Sequence, residues 1–312
     1  VFLWRDISKK RQNDMSDYLQ SVHFGANVDP TANDPSWPLR LTYAIERAGL
    51  EYIGIQDHPY NSGFLDTWTL IATLLQATER VHIFPNVVNL PLRPPVMLAK
   101  AAATLDVLSK GRVELGLGAG AFREGIIAMG GPGRSRGESI EALEEAVQII
   151  HAFWSGTRAL RFDGKHYAAK GAHPGPHPAH SIGIWLGSYG PRALGVLGRL
   201  ADGWLPSSSY VPPERLPEMQ QRIDDAALAA GRQLQEIRRL YNVMGMITDG
   251  PVDGLLTGPV EYWVDELTRL VVEVGMDTFI YWPADDRMRQ IELFAAEVAP
   301  AIKDKVAKAR GV

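Results

Sequence analysis

Residues 81–120 read VHIFPNVVNL PLRPPVMLAK AAATLDVLSK GRVELGLGAG. The run Val81–Val88 is β-rich and apolar on both faces, as a strand covered on both sides requires. After the prolines the pattern changes period. Leu98, Ala102, Leu105 and Leu108 fall on one helical face, and Lys110-Gly111 supplies the stop. Arg112–Gly118 then begins a second strand of the same kind. A strand, a crossover helix and a strand in one stretch form a βα unit, which predicts a parallel sheet.

Outward from this unit the rhythm repeats. The candidate strands are Val22–Val28, Glu51–Gln56, Val81–Val88, Arg112–Gly118, Ile182–Ser188, Asp202–Pro206, Ile237–Gly245 and Asp277–Trp282, eight in all. Helices with recognisable starts lie between them. Asp34-Pro35 reads as an N-cap followed by Pro at the first helical position. Ser135 and Glu138 form a capping box ahead of the stripe Ile140, Leu143, Val147 and Ile150. Ile291, Phe294, Val298 and Ile302 close the chain in the same way. The expected fold is α/β, a (β/α)8 TIM barrel formed as one domain by residues 15–312, with Val1–Asp14 as an N-terminal extension. Residues 156–181 break the rhythm. Leu160–Tyr167 reads as a hairpin turning at Asp163-Gly164, followed by a Pro- and His-rich loop over Ala172–Ser181, an insertion suited to part of a lid.

The chain has 312 residues, 46% of them hydrophobic, enough to bury a large core. A formal net charge of −4 supplies no field to concentrate a polyanion, so nucleic acid is not an expected partner and a small molecule is. There is no cysteine, which removes disulfides, thiolate metal sites and a Cys nucleophile. No apolar run reaches the ~20 residues needed to span a bilayer. The expected setting is the cytoplasm, with no membrane partner.

Several positions carry chemistry. His58 follows the second strand directly, where barrel enzymes build their sites, and exchanges a proton near neutral pH; a capping or surface histidine is the plainer reading. Gly187, Ser188, Tyr189 and Gly190 lie between a strand and a helix starting near Pro191, so their N–H groups suit a phosphate with the helix dipole behind them and Arg192 adding charge. An ordinary glycine-rich turn is the alternative. Gly116-x-Gly118-x-x-Ala121 fits a dinucleotide fingerprint, but at the fourth unit of a barrel and with no acidic residue closing a second strand about 20 residues on, that reading is rejected. His173, His177 and His180 invite a metal. The intervening prolines keep the first two off one helical face and no carboxylate lies near in sequence, so a solvated loop and no metal are expected. Trp282, ending the last strand, either lines the mouth or fills it.

Three segments in order resemble the bacterial-luciferase-like monooxygenase superfamily: Gln56-Asp57-His58-Pro59-Tyr60; Asn86 to Pro95 leading through Leu105–Arg112 to Leu115–Gly120; and Trp185–Arg192 followed by Ala201-Asp202-Gly203-Trp204. The resemblance covers roughly residues 23–300. It implies a barrel oxidoreductase using a reduced flavin or deazaflavin, with His58 and Asp57 at the reactive edge of the ring. Asn86-Val87 matches a place where relatives have a bulge with a non-prolyl cis peptide behind the ring. Gly118 and Gly120 would let the backbone approach the cofactor, and Gly187, Ser188, Tyr189, Gly190 and Arg192 would hold its phosphate. The Asp-His form of the motif resembles the branch that uses coenzyme F420 for hydride transfer. The alternatives are a monooxygenase using FMN and O2 with a separate reductase, and a non-catalytic flavin-binding protein. The sugar-phosphate dehydrogenases of the F420 branch have a Glu where this chain has Ala121, which puts that reaction in doubt. Relatives are commonly dimers, so a homodimer is expected.

Overall fold

The structure, a computed structural model, describes residues 17–312. The extension expected over Val1–Asp14 lies outside the described residues. In chain order the strands are β1 (His23–Asn27), β2 (Tyr52–Ile55), β3 (His82–Pro85), β4 (Val88–Asn89), β5 (Leu115–Gly118), β6 (Leu160–Asp163), β7 (Ala168–Ala172), β8 (Ile184–Leu186), β9 (Gly203–Trp204), β10 (Arg238–Ile247), β11 (Thr257–Gly258) and β12 (Thr278–Pro283). The helices are α1 (Trp37–Ala48), α2 (Thr67–Gln76), α3 (Pro95–Ser109), α4 (Arg123–Ala128), α5 (Arg136–Trp154), α6 (Pro191–Leu200), α7 (Leu216–Ala229), α8 (Val260–Val272), α9 (Arg287–Leu293) and α10 (Ala299–Arg310).

The principal sheet runs β3-β2-β1-β12-β10-β9-β8-β5-β4, with every neighbouring pair parallel. The ends meet. Ile83 in β3 bridges Val113 ahead of β5, its N–H donating to Arg112 C=O at 3.0 Å. With β3 and β4 counted as one wall interrupted at Asn86-Val87, the ring has the eight walls read from sequence. Because those walls are parallel, all their carboxyl ends open on one face.

Two apolar cores follow from that closure. Tyr52, Phe84, Trp185, Leu205, Leu240 and Ile280 fill the ring itself, with Val87 and Trp282 packed against them. A larger annulus lies between strands and helices, and includes Phe24, Leu41, Ile53, Leu117, Leu197 and Phe279. The closing stripe Ile291, Phe294, Val298 and Ile302 is fully buried in it. A side chain of this size removed from water contributes ~1.5–3 kcal/mol, so the annulus fixes where the strands sit.

Local boundaries differ from expectation in two places. The first helix begins at Trp37, with Ser36 at its N-cap, because the Asp34 carboxylate accepts from the Ser36 N–H at 3.1 Å and holds a turn before the helix. The hairpin is real but longer than expected: β6 pairs antiparallel with β7, so Ala168–Ala172 belongs to its second arm. The Ser135–Glu138 capping box forms as read.

The amino end of the ring departs further. His180 is not part of a solvated loop: its Nδ1 is 2.8 Å from Asp106 Oδ1 and its Nε2 3.2 Å from Glu114 Oε1. Those carboxylates are 74 and 66 residues away in the chain, so sequence proximity could not find them.

Candidate active site

At the carboxyl rim, β2 runs through Gln56 into Asp57-His58. The Asp57 side chain is 1% exposed and fully engaged. Its Oδ2 accepts from Asn89 N–H at 3.0 Å and Arg93 Nε at 2.8 Å, and its Oδ1 accepts from Arg93 Nη2 at 2.8 Å. This is the two-pronged, charge-assisted geometry in which Arg binds carboxylate most firmly. It ties the end of β2 to β4, and Arg93 reaches on to Asp66 at the N-cap of α2. Asp57 therefore faces into the protein, as an anchor for its neighbour.

His58, beside it, is half-buried, and its Nδ1 shares a 2.8 Å hydrogen bond with the Tyr60 hydroxyl. Tyr60 in turn meets Phe122 edge-on at 5.0 Å. Burial holds the imidazole below its usual range, and the Asp57 charge only partly offsets this. The ring is thus neutral at neutral pH. With Nδ1 taken by Tyr60, Nε2 has no protein partner among the described residues.

The next wall supplies Asn86 and Val87, joined by a cis peptide. Asn86 is buried, and its Nδ2 donates to Asn242 Oδ1 at 2.7 Å; Asn242 Nδ2 reaches Ser207 Oγ at 3.1 Å. This chain of polar groups links β3 to β10 and satisfies amides that would be costly to bury alone. Val87 projects against two glycines. A Cβ on Gly118 would stand 2.6 Å from Val87 Cγ2, and one on Gly187 3.3 Å from its Cγ1. Gly120, by contrast, has φ +85° and a Cβ there would strike Pro91 at 2.6 Å. Protein packing alone thus accounts for glycine at 118 and 120.

Gly187–Gly190 connects β8 to α6, which starts with Pro191. Gly190 is the N-cap, and a Cβ there would meet nothing within 4 Å, so open space lies above the free amides of the first turn. Ser188 is buried and its carbonyl accepts from Trp204 Nε1 at 3.0 Å. Tyr189 is exposed and lies 5.7 Å from the Tyr210 ring. Arg192 is 65% exposed and faces Glu141 at 3.6 Å. Trp282, in register with Met244, has a buried Nε1 without a hydrogen-bond partner. Phe122, Tyr189, Tyr210 and Met244 expose apolar surface around this face. A cavity of about 590 Å³ lies to one side between Ile247–Asp249 and Arg289–Glu297 and holds none of these residues.

Contacts therefore connect His58 to the glycine turn: Asp57 holds Asn89, two residues from Val87, and Val87 stands against Gly187. Arg93, Asn242, Ser207 and Tyr60 are structural partners to which the sequence assigns no role of their own. Asn242, set between the buried apolar Leu240, Tyr241 and Val243 in β10, is the one legible signal.

The luciferase-like monooxygenase family signature matches residues 17–251, most of the chain. The chain belongs to this family and is an enzyme of it. It is 29% identical over 231 residues to an F420-dependent glucose-6-phosphate dehydrogenase of Nakamurella multipartita, covering 71% of this chain and 67% of that protein. Its fold matches an F420-dependent secondary alcohol dehydrogenase solved with an F420-acetone adduct, at a TM-score of 0.80 and 18% identity over 91% of this chain and 99% of that one. It also matches the coenzyme F420-dependent tetrahydromethanopterin reductase of Methanopyrus kandleri, at a TM-score of 0.77 and 21% identity over 91% and 100%. No helix among the described residues is long and apolar enough to cross a membrane.

Proposed function

We propose that this enzyme uses coenzyme F420 to move a hydride to or from a small organic substrate at the carboxyl rim. The observation that carries the reading is the contact path from His58 through Asp57, Asn89 and Val87 to the Gly187–Gly190 turn. It gathers a proton-exchanging ring, an apolar side chain and a helix start with open space at Gly190. The site fits such a group. Gly190 leaves room above the α6 amides, and Trp282 Nε1 is a buried donor awaiting an acceptor.

In this reading Gly187, Ser188, Tyr189 and Gly190 hold the phosphate through backbone amides and the helix dipole. Arg192 adds charge once it leaves Glu141. Asn86, Val87 and Gly118 support the ring, with Gly120 shaping the loop beside it. The deazaflavin, when bound, supplies a two-electron hydride donor or acceptor. His58 does the acid-base work: taking an alcohol to a carbonyl releases a hydride and a proton, and Nε2 is placed to take or share that proton. Asp57, locked by Arg93, keeps His58 at the rim. Ala121 has no proton to exchange, so a sugar-phosphate reaction that relies on a Glu at this position is not the proposed one. The exposed Met97, Val107 and Leu108 on α3 support a homodimer, which native mass spectrometry tests directly.

The test is to extract the co-purified chromophore and to titrate the stripped enzyme with F420 and with FMN under identical conditions. Tighter binding of F420, with reduction of the bound cofactor by an alcohol, is expected. Preference for FMN with O2 consumption would replace hydride transfer by oxygenation.

A further inference from the structure

The opposite end of the barrel carries a second cluster of ligand-type side chains that the rim chemistry does not use. His82 opens β3, Glu114 precedes β5 and His180 lies in the segment entering β8, so the closure of the ring brings together three residues distant in sequence. We propose that His82 Nδ1, His180 Nε2 and one Glu114 carboxylate oxygen form a binding site for a single divalent cation of the zinc class.

Four observations carry this. Glu114 Oε1 lies 3.2 Å from His180 Nε2 and 3.7 Å from His82 Nδ1, and ligand atoms of the three residues all lie within 4.8 Å of one another. Zinc bonds of ~2.0–2.1 Å to N and O in a tetrahedron call for ligand separations only slightly above 3 Å, so two edges are already close. Second, His82 Nδ1 is buried without a hydrogen-bond partner, which an ion pair between His180 and Glu114 leaves unexplained. Third, the ligands are already oriented. Asp106, fully buried, takes the Nδ1 side of His180 at 2.8 Å, which directs Nε2 toward Glu114, and the Gly183 N–H fixes Glu114 Oε2 at 2.6 Å. A carboxylate behind a ligating imidazole is the usual support of a metal-bound histidine. Fourth, the His82 and His180 side chains are 32% and 29% exposed, so a cation and its water can enter from below.

Two imidazoles and a carboxylate without a thiolate suit Zn2+, and Co2+ as its spectroscopic substitute.

The experiment uses the full untagged chain, stripped with chelator and titrated with Co2+ and then Zn2+ at pH 8. One Co2+ per chain, displaced by Zn2+, is expected. His82→Phe keeps a ring against Tyr52 and should weaken uptake by about 100-fold while leaving rim turnover unchanged. Equal uptake by wild type and His82→Phe, or none by wild type, overturns the site. A measurement on wild type alone guards against a folding defect in the variant. Co2+ should broaden the His82 and His180 imidazole resonances before those of His173 and His177, and the reverse order overturns the proposal.

Discussion

The two ends of the barrel use the same residue types to opposite ends. At the carboxyl rim the charges are withdrawn: Asp57 is spent on Arg93 and Asn89, and the open face consists of a neutral His58, glycine backbone and exposed aromatics. At the amino end the charges converge. Glu51 binds Lys303 and the Phe24 amide, Asp277 binds Arg238, and Glu114 and Asp106 bind His180. The difference teaches where each end puts its interaction energy. Below, ion pairs and amide contacts pin strand starts; above, the Asp57 carboxylate is turned inward and the His58 Nε2 is left without a protein partner among the described residues.

The sharpest way to break this contrast is to remove the free imidazole. His58→Ala should lower turnover by roughly 10²–10⁴-fold, the usual contribution of a positioned acid or base, while keeping most cofactor affinity, which the reading assigns to backbone contacts. Steady-state rates measured with cofactor occupancy check it; wild-type turnover would remove His58 from the chemistry. Next in size is the anchor. Arg93→Ala leaves the Asp57 carboxylate buried with only an amide partner, and breaking such a pair costs about 3–5 kcal/mol, read by chemical denaturation. The double change Arg93→Ala with Asp57→Asn should recover part of that loss. If it recovers none, the pair is not the tie between β2 and β4.

These partners mark the limit of what the sequence conveys. Several of the eight strands are legible because burial on both faces leaves an apolar run bounded by turn residues, and the Ser135 capping box because its two halves are three residues apart. Asp57 is visible as a residue, but its role depends on Arg93, brought to it by a short 3-10 turn, Leu90–Leu92, whose Pro91 reads only as loop. The Asn86–Asn242 link spans 156 residues and has no periodic trace. Gly118 and Gly120 are ambiguous in a different way: a Cβ there would meet Val87 or Pro91, and the sequence does not separate room for a neighbour from room for a ligand.

A smaller effect distinguishes those two demands at the glycine turn. Gly190 has open space and an extended backbone, φ −86° and ψ 152°, that any residue adopts. Gly190→Val should therefore fold with near-native stability yet weaken F420 binding by about tenfold, which is ~1.4 kcal/mol, by filling the opening above the α6 amides. Equal affinity in fluorescence titrations would move the phosphate elsewhere on the rim.

The amino end makes the most finely graded prediction, because two of its histidines shift in opposite directions. In metal-free protein, His180 is raised to about 10 by hydrogen bonds to Asp106 and Glu114. Its contribution is complete below its ordinary range near 6.5 and declines as pH rises through 10, since the native state holds a proton that the unfolded chain has released. His23 is lowered to about 4, chiefly by burial and then by Arg238. Its contribution is complete above its ordinary range and is lost as pH falls toward 4, where the unfolded chain binds the proton first. Together they enclose a stability maximum from both sides. Denaturation midpoints in chelator should fall on both the acid and the alkaline limb. His180→Gln should flatten the alkaline limb alone and His23→Gln the acid limb alone. Each slope is bounded by one proton, and His180, with 29% of its side chain exposed, should fall short of that bound. If His180→Gln and wild type share one alkaline limb, the charge cluster does not hold the strand starts, and the division of labour between the two ends fails with it.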